Sequence, residues 1–469
     1  MRFVAAGKHA LGLDGAIAYT VLARFINILG STGTVLLLVH FLSPTEQGFY
    51  YSLLSLVNLQ IIFELGFAFV IQQFAAHESV HLQLSQQGHI SGNARSIDRL
   101  SLLLKRALQW YSVAGVLLGV TLGPFGIFFF TRHARAAAQV HWQGPWYAAL
   151  GGCVIILILD PMFSFLEGCG WVRQVAGMRL CQALLGVAMA WTTFLSGHGL
   201  FSPAMVILGN IVAGSVFLFR FRKLLFALLS HAAPSNAISW RSEIWHFQWR
   251  IAVSWLSTYV TSYIVVPAVF LLRTPVEAGQ MGMSLSIVGY MWNVVLAWIS
   301  TKATPFGQMV AKRDFQALDR LFLSTLLRAL AIMASLMLIF LAGVLALQHF
   351  YPRLAARMVP PPEFCLLLVA ALCMLVIQCL AVYLRSHKKE PYLLQAPATA
   401  LVTVAGIGCL VPHWGLLGAT SAYCLGVAGV GLPWALVLFG RTRKNHVQET
   451  GTTLIPPLDP GATISGEVM

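Results

Sequence analysis

Apolar residues run through this chain in stretches of about twenty, broken by short polar interruptions. A helix rises about 1.5 Å per residue, so such a run matches the roughly 30 Å of a hydrocarbon core. Twelve runs can be drawn, at about 17–41, 48–74, 107–130, 146–170, 175–196, 200–221, 249–272, 277–301, 325–348, 364–385, 391–411 and 415–439. Backbone groups find no water in that layer, and a helix satisfies them internally. The pattern predicts an all-α polytopic membrane protein of about twelve helices. The run after Lys8 is long enough to stay as a helix rather than serve as a removable leader. The tail from Gln448 reads as disordered.

Charge refines the picture. Only 10% of the 469 residues are charged, against about 25% in soluble domains. With both termini inside, the inward segments hold 24 of the 30 Lys and Arg residues. The outer loops hold five: Arg132, Arg135, Arg273, Arg353 and Arg357. Arg24, set within a run, is counted on neither side. This is the positive-inside bias of a multi-pass protein with both termini cytoplasmic, so the net charge of +14 reports topology. No basic stretch is interleaved with base-stacking aromatics, which argues against nucleic acid. The eight cysteines form no CxxC pair and have no zinc spacing with histidine, so no metal site is expected. No phosphate-cradling G-x-x-x-x-G-K-[ST] loop occurs.

One pattern occurs twice. Ser43-Pro44-Thr45-Glu46-Gln47-Gly48, followed by Leu54-Ser55-Leu56, is matched by Thr274-Pro275-Val276-Glu277-Ala278-Gly279, followed by Leu285-Ser286-Ile287, at an offset of 231 residues. A second echo pairs Asp98-Arg99-Leu100 with Asp319-Arg320-Leu321. Six runs separate the copies, so both share one orientation, the parallel repeat known in secondary transporters. Pro44 and Pro275 suit a helix start, Glu46 and Glu277 suit a first turn, and Gly48 and Gly279 let helices approach closely. The expected division is an N-terminal six-helix lobe over 1–222, a cytoplasmic linker over 223–248, a C-terminal six-helix lobe over 249–440 and a tail over 441–469.

The stretch Phe41-Leu42-Ser43-Pro44-Thr45-Glu46-Gln47-Gly48-Phe49-Tyr50-Tyr51, with Phe63-Glu64-Leu65-Gly66 after it, resembles polysaccharide flippases of the multidrug/oligosaccharidyl-lipid/polysaccharide exporter superfamily. Gln47, Phe49 and Glu64 depart from the commoner residues of that pattern. The resemblance implies two lobes around a central cavity, alternating access, and a polyprenyl-pyrophosphate-linked oligosaccharide as substrate in a bacterial inner membrane. It implies pathway partners such as a polysaccharide polymerase or glycosyltransferases, besides membrane lipids. A cation-coupled multidrug exporter of the same superfamily fits the architecture equally. A membrane-embedded glycan-processing enzyme fits less well, because the two longest outer loops hold only one carboxylate, Glu363.

Ionised groups within a membrane are costly and mark function or tight pairing. Arg24, Glu64 and Asp160 lie well inside runs one, two and four. At helical rise they sit roughly 10–15 Å from the inner end, in one layer. Three readings stay open: a structural ion-pair network, coupling to a proton or sodium ion, or substrate contact through Arg24, whose guanidinium matches phosphate oxygens. No cofactor is expected beyond such an ion. In the second half, Tyr290 and Asn293 join Ser254, Ser257, Thr258, Thr261 and Ser262 as sugar-binding candidates, or as glue between helices.

Overall fold

The computed structural model describes residues 15–232, 234, 246–312, 314–386 and 392–452. The chain is an all-α polytopic membrane protein apart from one short hairpin. Its first half comprises α1 (Gly15–Phe41), α2 (Pro44–Val57), α3 (Gln60–Glu64), α4 (Phe67–Ser79), α5 (Ala94–Thr131), α6 (Gln143–Gly168), α7 (Val172–Leu195), α8 (Ser202–Arg220) and the short α9 (Arg222–Ser230). The second comprises α10 (His246–Tyr263), α11 (Val265–Leu272), α12 (Pro275–Ser300), α13 (Phe315–Phe350), α14 (Pro361–Arg385), α15 (Gln395–Cys424) and α16 (Leu432–Thr452). Among the described residues eight helices are long and apolar enough to cross a membrane, or ten if each of two bent pairs counts once.

Where described, the expected runs fall on helical residues, but several are drawn differently, the run at 249–272 being α10 and α11 bent by 48°. The run at 48–74 is α2 to α4, bent by 45° where Leu65 (φ 53°) and Gly66 (φ 68°) take left-handed conformations. The run at 277–301 falls on α12, which starts two residues earlier at Pro275. The last two runs form one helical stretch, Gln395–Arg443, kinked at Gly415 (φ 54°, ψ −127°), a backbone that glycine adopts without penalty. The final helix continues to Thr452, past the expected boundary at 440, and the rest of the tail lies outside the described residues. Part of the expected linker is the ordered helix α9. Its apolar side buries Leu224, Leu225 and Leu228, and the Ser101 hydroxyl of α5 donates to the Leu228 carbonyl at 2.6 Å. The antiparallel hairpin Leu82–Leu84 with Ile90–Gly92 has no counterpart in the apolar pattern.

Helices α1, α6, α7 and α8 pack on one another, as do α12 to α16. The two groups meet mainly through α2 against α12, with α11 against α2 and α10 against α3 and α4. Both repeated turns have the same local cause. Ser43 and Thr274 are extended N-caps whose hydroxyls accept the amide hydrogens of Glu46 and Glu277, both at 3.2 Å. The second echo is also repeated in space. Asp98 pairs with His231 at 2.7 Å and Asp319 with Arg443 at 2.8 Å, each partner lying just beyond its half's sixth run. Tyr383 donates a further hydrogen bond to Asp319 at 2.9 Å.

Candidate functional site

The two repeated turns stand side by side and touch. A Cβ at Gly48 would collide with the Pro275 carbonyl, and one at Gly279 would lie 2.9 Å from the Gly48 nitrogen. The buried amide of Gln47 donates to the Gly279 and Arg357 carbonyls, each at 2.9 Å. In return the Arg357 guanidinium donates to the Leu42 carbonyl at the end of α1 at 2.7 Å, and to Gln47 Oε1 at 3.3 Å. Burial lowers Arg357 from its ordinary value while the Glu46 carboxylate raises it, yet a guanidinium stays charged. Beside this network Phe270 of α11 stacks on Phe129 at 4.7 Å and meets Phe49 edge-on at 5.2 Å. These contacts close the face of the molecule that carries the turns.

Behind that closure lies a cavity of about 430 Å³, within the range of small-molecule sites. Helix α1 contributes Asn27, Ser31 and Thr34, one stripe at helical spacing, and α7 contributes Arg179 and Gln182. Asn210 of α8, Tyr50 of α2 and Tyr290 of α12 complete its polar wall. The room comes from small residues on α7: Ala183, Gly186 and Ala190 line the space where larger side chains would fill it. The wall is fixed by its own bonds. Trp191 donates to Thr34 Oγ1 at 3.1 Å, and Gln182 donates to the Asn210 carbonyl at 3.1 Å. Neutral donors and acceptors share the wall about equally with apolar and small residues, and among the described residues Arg179 is its one charged side chain. Such a wall can exchange hydrogen bonds with a hydroxyl-rich ligand and offers a single guanidinium to an anion.

The sequence candidates separate. Asp160 acts electrostatically on Glu64, and both act on Tyr111, whose hydroxyl is buried. The cation acting on Asp160 is Arg179, not Arg24. Arg24 is exposed, one turn from Asn27 on the α1 stripe, and does not line the cavity. Tyr290 lines the cavity; Asn293 is exposed and donates to the Gly289 carbonyl of its own helix at 3.0 Å. Ser257, Thr258 and Thr261 likewise donate to carbonyls four residues earlier, at 2.7, 2.9 and 3.0 Å. Arg179 counts toward inward-facing charge in the sequence because it lies near a helix start. Its position two turns inside α7 is the signal that could have separated it. Among the described residues no group of three His, Cys, Asp or Glu side chains could hold a metal ion.

No protein-family profile and no curated protein matches the chain. Solved structures do. The lipid II flippase MurJ in an inward closed conformation superposes with a TM-score of 0.58 at 14% identity, over 94% of this chain and 93% of that one. An inward-facing MATE-family multidrug resistance transporter of the MOP superfamily gives 0.55 at 14% identity, over 91% and 99%. The MATE multidrug transporter DinF-BH, solved as a ligand complex, gives 0.56 at 12% identity, over 92% and 95%. The chain has the fold of these transporters. At such identity the likeness fixes the architecture and leaves the cargo to be argued from the cavity.

Proposed function

We propose that the chain flips a polyprenyl-pyrophosphate-linked oligosaccharide across a bacterial inner membrane by alternating access, for polysaccharide biosynthesis. The observation that carries this is the cavity: a mostly neutral, hydrogen-bonding wall with one arginine. A glycan presents many hydroxyls and its pyrophosphate linker one dense anionic group, and the wall complements both. In this reading twelve helices form two six-helix lobes with both termini cytoplasmic. The turn face is then outside, and the conformation described is the one closed to the outside. Cation-coupled multidrug export is the second reading, favoured by the carboxylate pair Glu64 and Asp160.

Proteoliposomes loaded with fluorescent polyprenyl-pyrophosphate oligosaccharide test the two directly. Flipping that needs the chain, with no export of rhodamine or ethidium, supports the first reading. Dye export without flipping would overturn it.

A further inference from the structure

Arg179 belongs to two places at once. It lines the cavity, and its guanidinium donates to Glu167 at 2.9 Å while acting electrostatically on Asp160. Counting from the turn at Gly170, the backbones of Asp160 and Arg179 stand level, roughly 13–15 Å in, and Glu167 only about 4–5 Å in. A helical side chain leans toward its helix N-terminus, so Arg179 reaches back toward Glu167 from the level of Asp160. Asp160 and Glu167 are seven residues apart and face the same way on α6. Asp160 also acts electrostatically on Glu64 of α3, on Tyr111 of α5 and on Cys153 of its own helix. The Arg179 side chain is 57% exposed, so an incoming ligand can reach it.

We propose that Arg179 is the anion-binding residue of the cavity and is shared with the carboxylates, so that anionic cargo and a cation bind together rather than in exchange. The inference rests on the proposed cargo. When a pyrophosphate takes the guanidinium, Glu167 and Asp160 lose their counter-charge, and Glu64 and Asp160 are left as neighbouring carboxylates. Two such groups without a cation hold a proton or sodium ion more tightly. Linkage is reciprocal, so the bound cation strengthens anion binding by the same factor. A cavity in which cargo and cation competed for one group would couple them with the opposite sign.

The probe is inorganic pyrophosphate, titrated calorimetrically into the purified full chain in two buffers of different ionisation enthalpy, with and without sodium. Wild type should bind it and take up protons, or bind it several-fold more tightly in sodium. Asp160→Asn should still bind but lose most of that linkage; the difference from wild type cancels the titration of pyrophosphate itself. Glu167→Gln, which frees the guanidinium, should bind several-fold more tightly, and Arg179→Gln at least tenfold more weakly. Binding unchanged in Arg179→Gln, or a proton and sodium linkage no different between wild type and Asp160→Asn, would overturn the proposal. If the same protein still flips the glycolipid, the function stands and only the shared arginine falls. Dye export without flipping would instead remove the cargo on which it rests.

Discussion

The first half of the chain sets Glu64, Asp160 and Arg179 within its helical layer, beside a polar cavity. In the second half Glu277, Asp314, Asp319 and Glu363 stand at helix starts, and the hydroxyls of α10 bond back to their own helix. Yet the two halves share their ends: the same capped turn, and the same aspartate holding a basic group beyond the sixth run. The repeated devices position helices, and the carboxylates within the helical layer lie on one side only. A repeat in sequence therefore locates scaffold, and the departures from it locate the site.

The sharpest way to break this comparison is to neutralise the carboxylates. Asp160→Asn and Glu64→Gln should abolish transport and leave the yield of folded protein unchanged, while Ser257→Ala with Thr261→Ala should keep transport within about twofold, since hydroxyl glue is worth a modest amount per group. If the carboxylate variants lose abundance and melting temperature together, the pair is structural, because stranding one buried partner costs about 3–5 kcal/mol.

The duplicated turn offers the next contrast. Gly48→Ala drives a methyl into the Pro275 carbonyl, whereas a methyl at Gly279 meets the Gly48 nitrogen at 2.9 Å. Overpacking of this kind costs about 1–3 kcal/mol. Thermal melting should fall more for Gly48→Ala, and equal shifts would refute the asymmetric fit.

Arg357 tests whether the closed face is a latch. Arg357→Gln removes hydrogen bonds from a charged donor, worth about 1.5–3 kcal/mol. A single cysteine at Leu54, which lines the cavity, should then react faster with an impermeant thiol reagent in a cysteine-depleted background. A lower melting temperature with unchanged labelling would make Arg357 a brace only. The smallest effect belongs to the exposed tethers: His231→Ala and Arg443→Ala should each cost below about 1 kcal/mol in melting experiments, and a large loss at one alone would break the parallel between them.

Much of the architecture was legible in the sequence, because run length and capped turns are local properties. Glu64 and Asp160 were legible for the same reason: a carboxylate within an apolar run announces itself. Other features were not. The contact between the two turns joins residues 231 positions apart, and neither copy encodes its partner. The cavity depends on Ala183, Gly186 and Ala190 being small, which reads along the chain as ordinary helix packing. Arg179 was hidden by its charge, which counted equally well toward topology. The break at Leu65 was hidden because a leucine gives no warning of a left-handed backbone.

The seam between the turns has one more consequence. Gly48 meets Gly279, and Tyr51 meets Gly282, where a Cβ would collide with the tyrosine. Both pairs are separated by the repeat offset itself, so each position touches its own counterpart. A patch that meets its own copy is self-complementary, the mark of an isologous two-fold interface between subunits. The centre of this single chain thus has the geometry of a homodimer made internal. Tyr51 against Gly282 is where that symmetry has been broken, one side supplying the bulk and the other the hollow.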